Sequence, residues 1–300
     1  MQALRIALFS TSSLIHQRAS AQPESLYAEW RYVPRYGSRL TCSFYHTMEI
    51  PGYGLVQGQW DLRDGIKEYT GGIDFKDQRV LEVGTASGFV CFYMEQQGAE
   101  VVAYDLSPRQ SWDIVPMATK KLRRVAFLRR INTWKLNNGY WLAHRALRSK
   151  ARVVYGTVYD IPASIGPVDV STFCSVLLHV RDPFVALFNA ARLTRKTILV
   201  TDVVGPPGPD APRVSTRPLM QFVPDFRNAT PLDQWWYLNP EIMVAFLGIL
   251  GFGNSEVTYH TQRSRWGEAT LFSVVAHRTN ETALIGNRGR RDSNPQPTSS

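Results

Sequence analysis

VLEVGTASGFV, residues 80–90, decides how the rest of the chain is read. Val80, Leu81 and Val83 form a short apolar run, the composition of a parallel strand buried on both faces. Gly84-Thr85-Ala86-Ser87-Gly88 then turns the chain without bulky side chains, so backbone can approach a ligand closely. Phe89 to Gln97 reads as the following helix, closed by Gly98. A second strand, Glu100 to Tyr104, ends in Asp105. Strand, glycine turn, helix and acid-ended strand make a mononucleotide-binding half, in which the acid accepts from the ribose hydroxyls.

Two cofactor classes compete for such a turn. A dinucleotide site uses G-x-G-x-x-G and sets the pyrophosphate against the helix N-terminus. Here the spacing is E-x-G-x-x-x-G, and Glu82 ends the strand beside the turn. A carboxylate there repels a pyrophosphate but suits the ammonium and sulfonium of S-adenosylmethionine (SAM). An ordinary strand-helix turn could also hold an acid and glycines, but Asp105 at the end of the next strand argues against it.

The 300 residues suffice for one large α/β domain with extensions. Apolar content of 44 % and charged content of 20 % are ordinary for a globular chain. Cys42, Cys91 and Cys174 are far apart and form no C-x-x-C pair, which argues against a zinc site or a disulfide framework. No other metal-ligand cluster stands out. Near the N-terminus, His16, Gln17 and Arg18 interrupt the apolar stretch that a signal peptide requires. The longest later apolar run, Ile242 to Leu250, is too short to span a bilayer. The expectation is a cytoplasmic protein with no membrane partner.

Residues 1–70 read as an N-terminal extension and cofactor lid, with one or two helices and a loop after residue 24. Tyr45, His46 and Trp60 lie in an aromatic stretch, 44–62, without helical periodicity. Such residues can close a pocket over a substrate or simply pack the extension onto the domain. Residues 71–280 hold the remaining elements: strands at 152–155, 169–175 and 197–203, and helices led by Asp182-Pro183 and Asn239-Pro240. The Pro- and Gly-dense stretch 205–231 reads as a loop, and 257–260 with 270–277 as a closing hairpin. Residues 281–300 read as a disordered tail. The expected fold is α/β: a doubly wound, mostly parallel seven-stranded sheet with an antiparallel C-terminal hairpin.

LEVGTASG, VVAYD, VYDIP and SVLLHVRDPFVAL, in that order, resemble the class I SAM-dependent methyltransferases over residues 70–278. YHTMEIPG and QWDL upstream, with SVLLHVRDP, resemble the branch containing the tRNA wobble-uridine carboxymethyl-transferring enzymes. The resemblance implies SAM as cofactor, with Glu82, Gly84, Thr85, Ala86 and Gly88 around its methionine portion. It implies Asp105 on the ribose, Leu106 beside the adenine, and Asp160 and Ile161 at the adenine ring. Asp160 could equally be a turn aspartate before Pro162. Ser175 would contact the cofactor from the end of the fourth strand. His179, after two leucines at that strand end, could act as general base or as a structural histidine.

Between Arg109 and Arg152 stand twelve Lys and Arg against one acid, Asp113, in a chain whose formal net charge is +9. Trp134, Asn138, Trp141 and Arg145 recur at helical spacing, so a helical insertion at 109–150 is expected. Its charge fits a solvated face, a cap in which Trp141, His144 and Arg145 shape a pocket for a small acceptor that could be anionic, or an RNA-binding surface. The small molecule is preferred, since no recognised RNA-binding module accompanies the patch. The functional expectation is methyl transfer to a small molecule. An RNA-modifying methyltransferase and a non-catalytic SAM- or nucleotide-binding protein are the alternatives.

Overall fold

The computed structural model describes residues 41–205 and 216–280. The first of these form strands β1 (Met48–Ile50), β2 (Gly54–Val56) and β3 (Trp60–Asp61) and a one-turn helix α1 (Ile66–Tyr69). The glycine-turn region gives β4 (Arg79–Val83), α2 (Phe89–Gln96) and β5 (Glu100–Asp105). Helix α3 (Leu122–Ala146) precedes β6 (Arg152–Tyr155), β7 (Val168–Cys174), α4 (Pro183–Ala191) and β8 (Thr194–Val203). Then come β9 (Met220–Phe222), β10 (Trp236–Leu238), α5 (Pro240–Ile249), β11 (Asn254–Ser264) and β12 (Gly267–His277).

The main sheet has the order β3-β11-β12-β8-β7-β4-β5-β6. Strands β4 to β8 are parallel, and β12 is antiparallel to both its neighbours. This is the doubly wound sheet with a late hairpin that the alternation of elements predicts. Its eighth strand is an addition: Asp61 pairs with Arg263 and extends the edge by β3.

Alternate residues of a strand face opposite ways, and here both faces are covered. Leu81, Val83 and Phe173 point into one core with Leu187 and Met243 of α4 and α5. Val80, Val101 and Val170 point into the other, with Val90, Met94 and Tyr140 of α2 and α3. The caps read from sequence form as expected. Asp182 accepts from the Val185 amide (3.0 Å) and Asn239 from the Ile242 amide (3.1 Å).

Two stretches read as loops carry short strands. Residues 44–62 hold the β1–β2 hairpin and β3, and β9 within 205–231 pairs with β10. Both strands of each small ladder have three residues or fewer, too few for an alternating pattern to register. The N-terminal stretch around His16, residues 24–40 of the extension and the tail 281–300 fall outside the described residues, and in 41–70 the helix present is the single turn of α1. No described helix is long and apolar enough to cross a membrane.

Helix α3 occupies the place expected of the insertion. Its C-terminal half is sunk into the second core, while the arm leading to β1 crosses over it. The Ser43 amide donates to the Lys135 carbonyl (2.9 Å), and Asn138 Nδ2 donates to the Thr41 carbonyl (2.9 Å).

Candidate functional site

A cavity opens at the carboxyl ends of β4, β5, β6 and β7, where open α/β sheets place their ligands. Gly84 leaves β4 with φ +84°, and its amide donates to the Tyr104 carbonyl (2.7 Å). Ala86 is left-handed (φ +50°), which aims its amide at Asp105 Oδ2 (2.7 Å). The Leu106 amide donates to the other carboxylate oxygen (2.6 Å). Each oxygen therefore takes one backbone hydrogen bond and keeps lone pairs for further donors. Burial pushes the Asp105 carboxyl up to about 6, against the lowering effect of those two amides.

The opposite wall comes from β7 and the loop after it. Ser175 (φ +55°) places its hydroxyl 3.2 Å from that of Tyr69. A single tight turn, Leu177 to His179, then brings His179 into the lining. His179 Nδ1 lies against the Asp233 carbonyl, so Nδ1 carries the proton and Nε2 the basic lone pair. Nε2 has no hydrogen-bond partner among the described residues. Burial lowers the imidazole pKa below its ordinary value, which keeps the ring neutral. Its neighbour Trp112 stands with ring centroids 5.7 Å away and donates from Nε1 to Thr133 Oγ1 (3.0 Å).

Residues 57–247, more than half of the chain, match the family described as Methyltransferase domain. The chain belongs to the methyltransferase domain family. It matches no curated protein. Among solved structures it is similar to the N-terminal domain of EvdMO1 with SAH and D-fucose, at 20 % identity and TM-score 0.44, covering 79 % of this chain and 91 % of that one. It is similar to the 1,6-didemethyltoxoflavin-N1-methyltransferase of Burkholderia thailandensis at 14 % identity and TM-score 0.44, covering 72 % and 78 %. Magnesium protoporphyrin IX methyltransferase of Synechocystis PCC 6803 gives 12 % identity and TM-score 0.42, covering 73 % and 78 %.

In this methyltransferase domain, Gly84, Ala86, Asp105, Leu106, Ser175 and His179 meet at the cavity, joined by Tyr45 and His46 from the arm. Ser87 fixes that arm, because its hydroxyl accepts from the Tyr45 amide (3.0 Å). His46 is almost fully buried, its Nδ1 has no hydrogen-bond partner among the described residues, and burial holds its pKa down at about 3. Trp60 stays outside, paired to the arm through its backbone amide and the Tyr45 carbonyl (3.0 Å).

The other expected residues sit behind or beside the cavity. Glu82 is buried on the face of β4 that packs on α2, near Cys91, outside the cavity lining, and its Oε2 has no hydrogen-bond partner among the described residues. Thr85 is buried under the turn. At both glycines of the turn a Cβ would meet neighbouring protein atoms. A Cβ on Gly84 would lie 2.4 Å from Val176, and one on Gly88 (φ +90°) 2.5 Å from Phe92 and 2.7 Å from Tyr140. Both glycines serve protein packing.

At the β6 end, Tyr104 Oη donates to the Thr157 carbonyl (2.9 Å). A Cβ on Gly156 would lie 1.9 Å from the Tyr104 hydroxyl oxygen. This contact places Gly156, Thr157 and Val158 at the cavity. Asp160 is exposed beyond them, and Ile161 is buried in the first core, so neither expected adenine contact reaches the lining. Trp141, His144 and Arg145 also miss it. Trp141 Nε1 donates to Tyr155 Oη (2.9 Å), His144 Nε2 meets the Ala151 carbonyl (2.9 Å), and Arg145 is exposed.

Instead, α3 supplies Thr133, Leu136 and Asn137, and the loop before it supplies Trp112 and Asp113. Tyr159 Oη donates to the Asp113 carboxylate, and the Arg181 amide does so at 2.8 Å. Arg129 pairs with Asp233 and so ties α3 to the loop that holds His179. Only the lone acid in a basic stretch marked this region in the sequence. No group of described His, Cys, Asp and Glu residues could hold a metal ion.

Proposed function

We propose that this domain binds SAM in the cavity and methylates a small, uncharged acceptor. The observation that carries the reading is the doubly anchored Asp105 facing the same cavity as His179, whose free nitrogen is basic. The cofactor's place is tested by its donor set. Asp105 retains lone pairs for two ribose hydroxyls, Leu106 and Val158 offer apolar surface to a purine, and Gly84 and Ala86 carry the turn backbone past them. These residues fit a nucleoside with a neutral or cationic tail. When bound, SAM supplies an electrophilic methyl group for in-line attack by a nucleophile.

The protein's own contribution is placement and proton removal. His179 Nε2 accepts the proton of an acceptor hydroxyl, while the Asp233 carbonyl keeps Nδ1 protonated and the ring in one orientation. Trp112 and Leu136 supply apolar walls that exclude water. Among the described residues, Asp105 and Asp113 are the charged groups of the lining, with no Lys or Arg beside them. That set of described residues favours an uncharged acceptor over an anionic one.

SAM should raise the melting temperature, because a ligand that binds only the folded state stabilises it. Asp105→Ala should weaken SAM binding by about 1.5–3 kcal/mol, the range for hydrogen bonds to a charged group. A shift with NADH and none with SAM would overturn the cofactor assignment. Incubating metabolite extracts with methyl-labelled SAM, with and without nuclease, identifies the acceptor class. Nuclease-sensitive labelling would replace the small molecule with RNA.

The wobble-uridine branch resemblance extends to the arm and the histidine motif, but one residue departs from it. Those enzymes carry a tyrosine before the motif histidine, where it helps hold a carboxylated cofactor. Here Leu178 stands there, 7 % exposed. A carboxylate beside it loses a hydrogen bond and pays for desolvation. SAM should therefore bind more tightly than carboxy-SAM by calorimetry, and the reverse order would overturn this choice.

A further inference from the structure

The N-terminal half of α3 presents an apolar stripe to solvent. Phe127, Ile131 and Trp134 are spaced four and three residues apart and so line one face. They are 62 %, 36 % and 39 % exposed, with Leu128 beside them at 54 %. Helical geometry puts Arg123 and Arg130 along one side of the stripe and Arg124 along the other. All three arginines are exposed, as are Lys120 and Lys121 just before the helix. None of these five forms an ion pair among the described residues. No acid occurs between Asp113 and the end of the helix.

We propose that this half of α3 is a docking surface for an anionic lipid bilayer. The sequence predicts no membrane partner because it contains no spanning segment, but a helix of this kind lies in the interface rather than across it. Aromatic and aliphatic side chains enter the acyl boundary, and flanking arginines meet lipid phosphates. The cations decide between occupants. A second copy of this face would bring like charges together. The N-terminal 40 residues carry five arginines against two glutamates, so they also offer the wrong sign. Nucleic acid has the right sign, and Phe127 and Trp134 could stack on bases, but aliphatic Leu128 and Ile131 have no use there, whereas an acyl boundary takes all four. An apolar stripe bordered by cations matches a surface that is apolar beneath and anionic above. The same helix lends Thr133, Leu136 and Asn137 to the cavity wall, so docking would bring the bilayer close to the cavity.

The proposal is independent of the methyl-transfer reading, because binding is measured without cofactor. The full chain is sedimented with vesicles of phosphatidylcholine alone and of phosphatidylcholine mixed with phosphatidylglycerol. Binding to the mixed vesicles only is expected, weakening with salt. Each neutralised arginine should cost about fivefold, so Arg123→Gln/Arg124→Gln/Arg130→Gln should lose about a hundredfold. Phe127→Ser/Ile131→Ser should also lose binding while keeping all cations. Both variants change exposed side chains and should keep the wild-type melting temperature. Quenching of Trp134 by brominated lipid, absent from Trp134→Phe, would place the stripe in the acyl region. No binding to the mixed vesicles, equal binding to both kinds, or retention by the Phe127/Ile131 variant overturns the proposal. So does binding of tRNA in place of vesicles, or a dimer dispersed by Ile131→Ser.

Discussion

Replacing His179 by glutamine is expected to lower turnover by about 10²–10⁴-fold while leaving SAM affinity nearly unchanged, the usual loss for a positioned general base. Glutamine keeps comparable length and hydrogen-bonding capacity but cannot take up a proton. The geometry favours the histidine as acceptor for three linked reasons. The Asp233 carbonyl holds Nδ1 protonated, the free nitrogen is Nε2, and burial keeps the ring neutral. The sign of the pH effect follows. A base with a lowered pKa stays competent further into acid, so activity should fall only as pH drops below the ordinary histidine value. In the glutamine variant that acid limb should disappear. Arg129→Gln is a useful companion, since it cuts the ion pair to Asp233 without touching the ring. It should lower turnover less than His179→Gln. Unchanged turnover in His179→Gln, once an acceptor is in hand, would leave the histidine a structural residue.

The parts of this site that could be read from the sequence are those set by neighbouring residues. Gly84, Ala86 and Asp105 belong to one strand-turn-helix-strand unit whose geometry is local, and they stand together at the cavity. Gly156, Thr157 and Val158 line the cavity where Asp160 and Ile161 were expected, for a reason no local rule contains. The Tyr104 hydroxyl holds the Thr157 carbonyl, and that bond decides which part of the loop turns inward. Trp112, Asp113 and Thr133 were hidden in a stretch whose charge dominated its reading. Their position depends on contacts with Tyr159, Trp235 and Arg181, all distant in sequence. Trp134 and Trp141 do share a helix face, as their spacing requires. The arm at Thr41 to Phe44 covers that face near Asn138 and leaves it bare near Trp134. Periodicity gives the face of a helix, but not which part of it another segment covers.

Glu82→Gln should stabilise the free protein at alkaline pH, and the gain should vanish near pH 4. Burial pushes the Glu82 carboxyl up from 4.5 to about 8, and its Oε2 has no hydrogen-bond partner among the described residues. A raised folded-state pKa means that the native protein holds a proton which the unfolded chain has already released. The favourable contribution is complete below the unfolded value near 4.5 and is lost as pH rises to about 8. At roughly 1.4 kcal/mol per pH unit, Glu82 could withdraw several kcal/mol across that range. Asp105 and Asp202, raised by burial to about 6 and about 7, act in the same direction. The free domain should thus lose stability from mildly acidic to mildly alkaline pH. Glutamine is the neutral isostere, so the variant should keep the acidic-side stability and show a shallower slope. The measurement is the melting temperature of both proteins from pH 4 to 9 without cofactor. It also separates two roles for this residue. A Glu82 that pairs directly with the cofactor's ammonium would cost SAM affinity on conversion to glutamine. A Glu82 that stays within the packing between β4 and α2 would leave affinity close to wild type while the stability gain remains. Parallel pH slopes in the two proteins would mean that Glu82 is ionised when folded, and that its burial does not hold the proton in place.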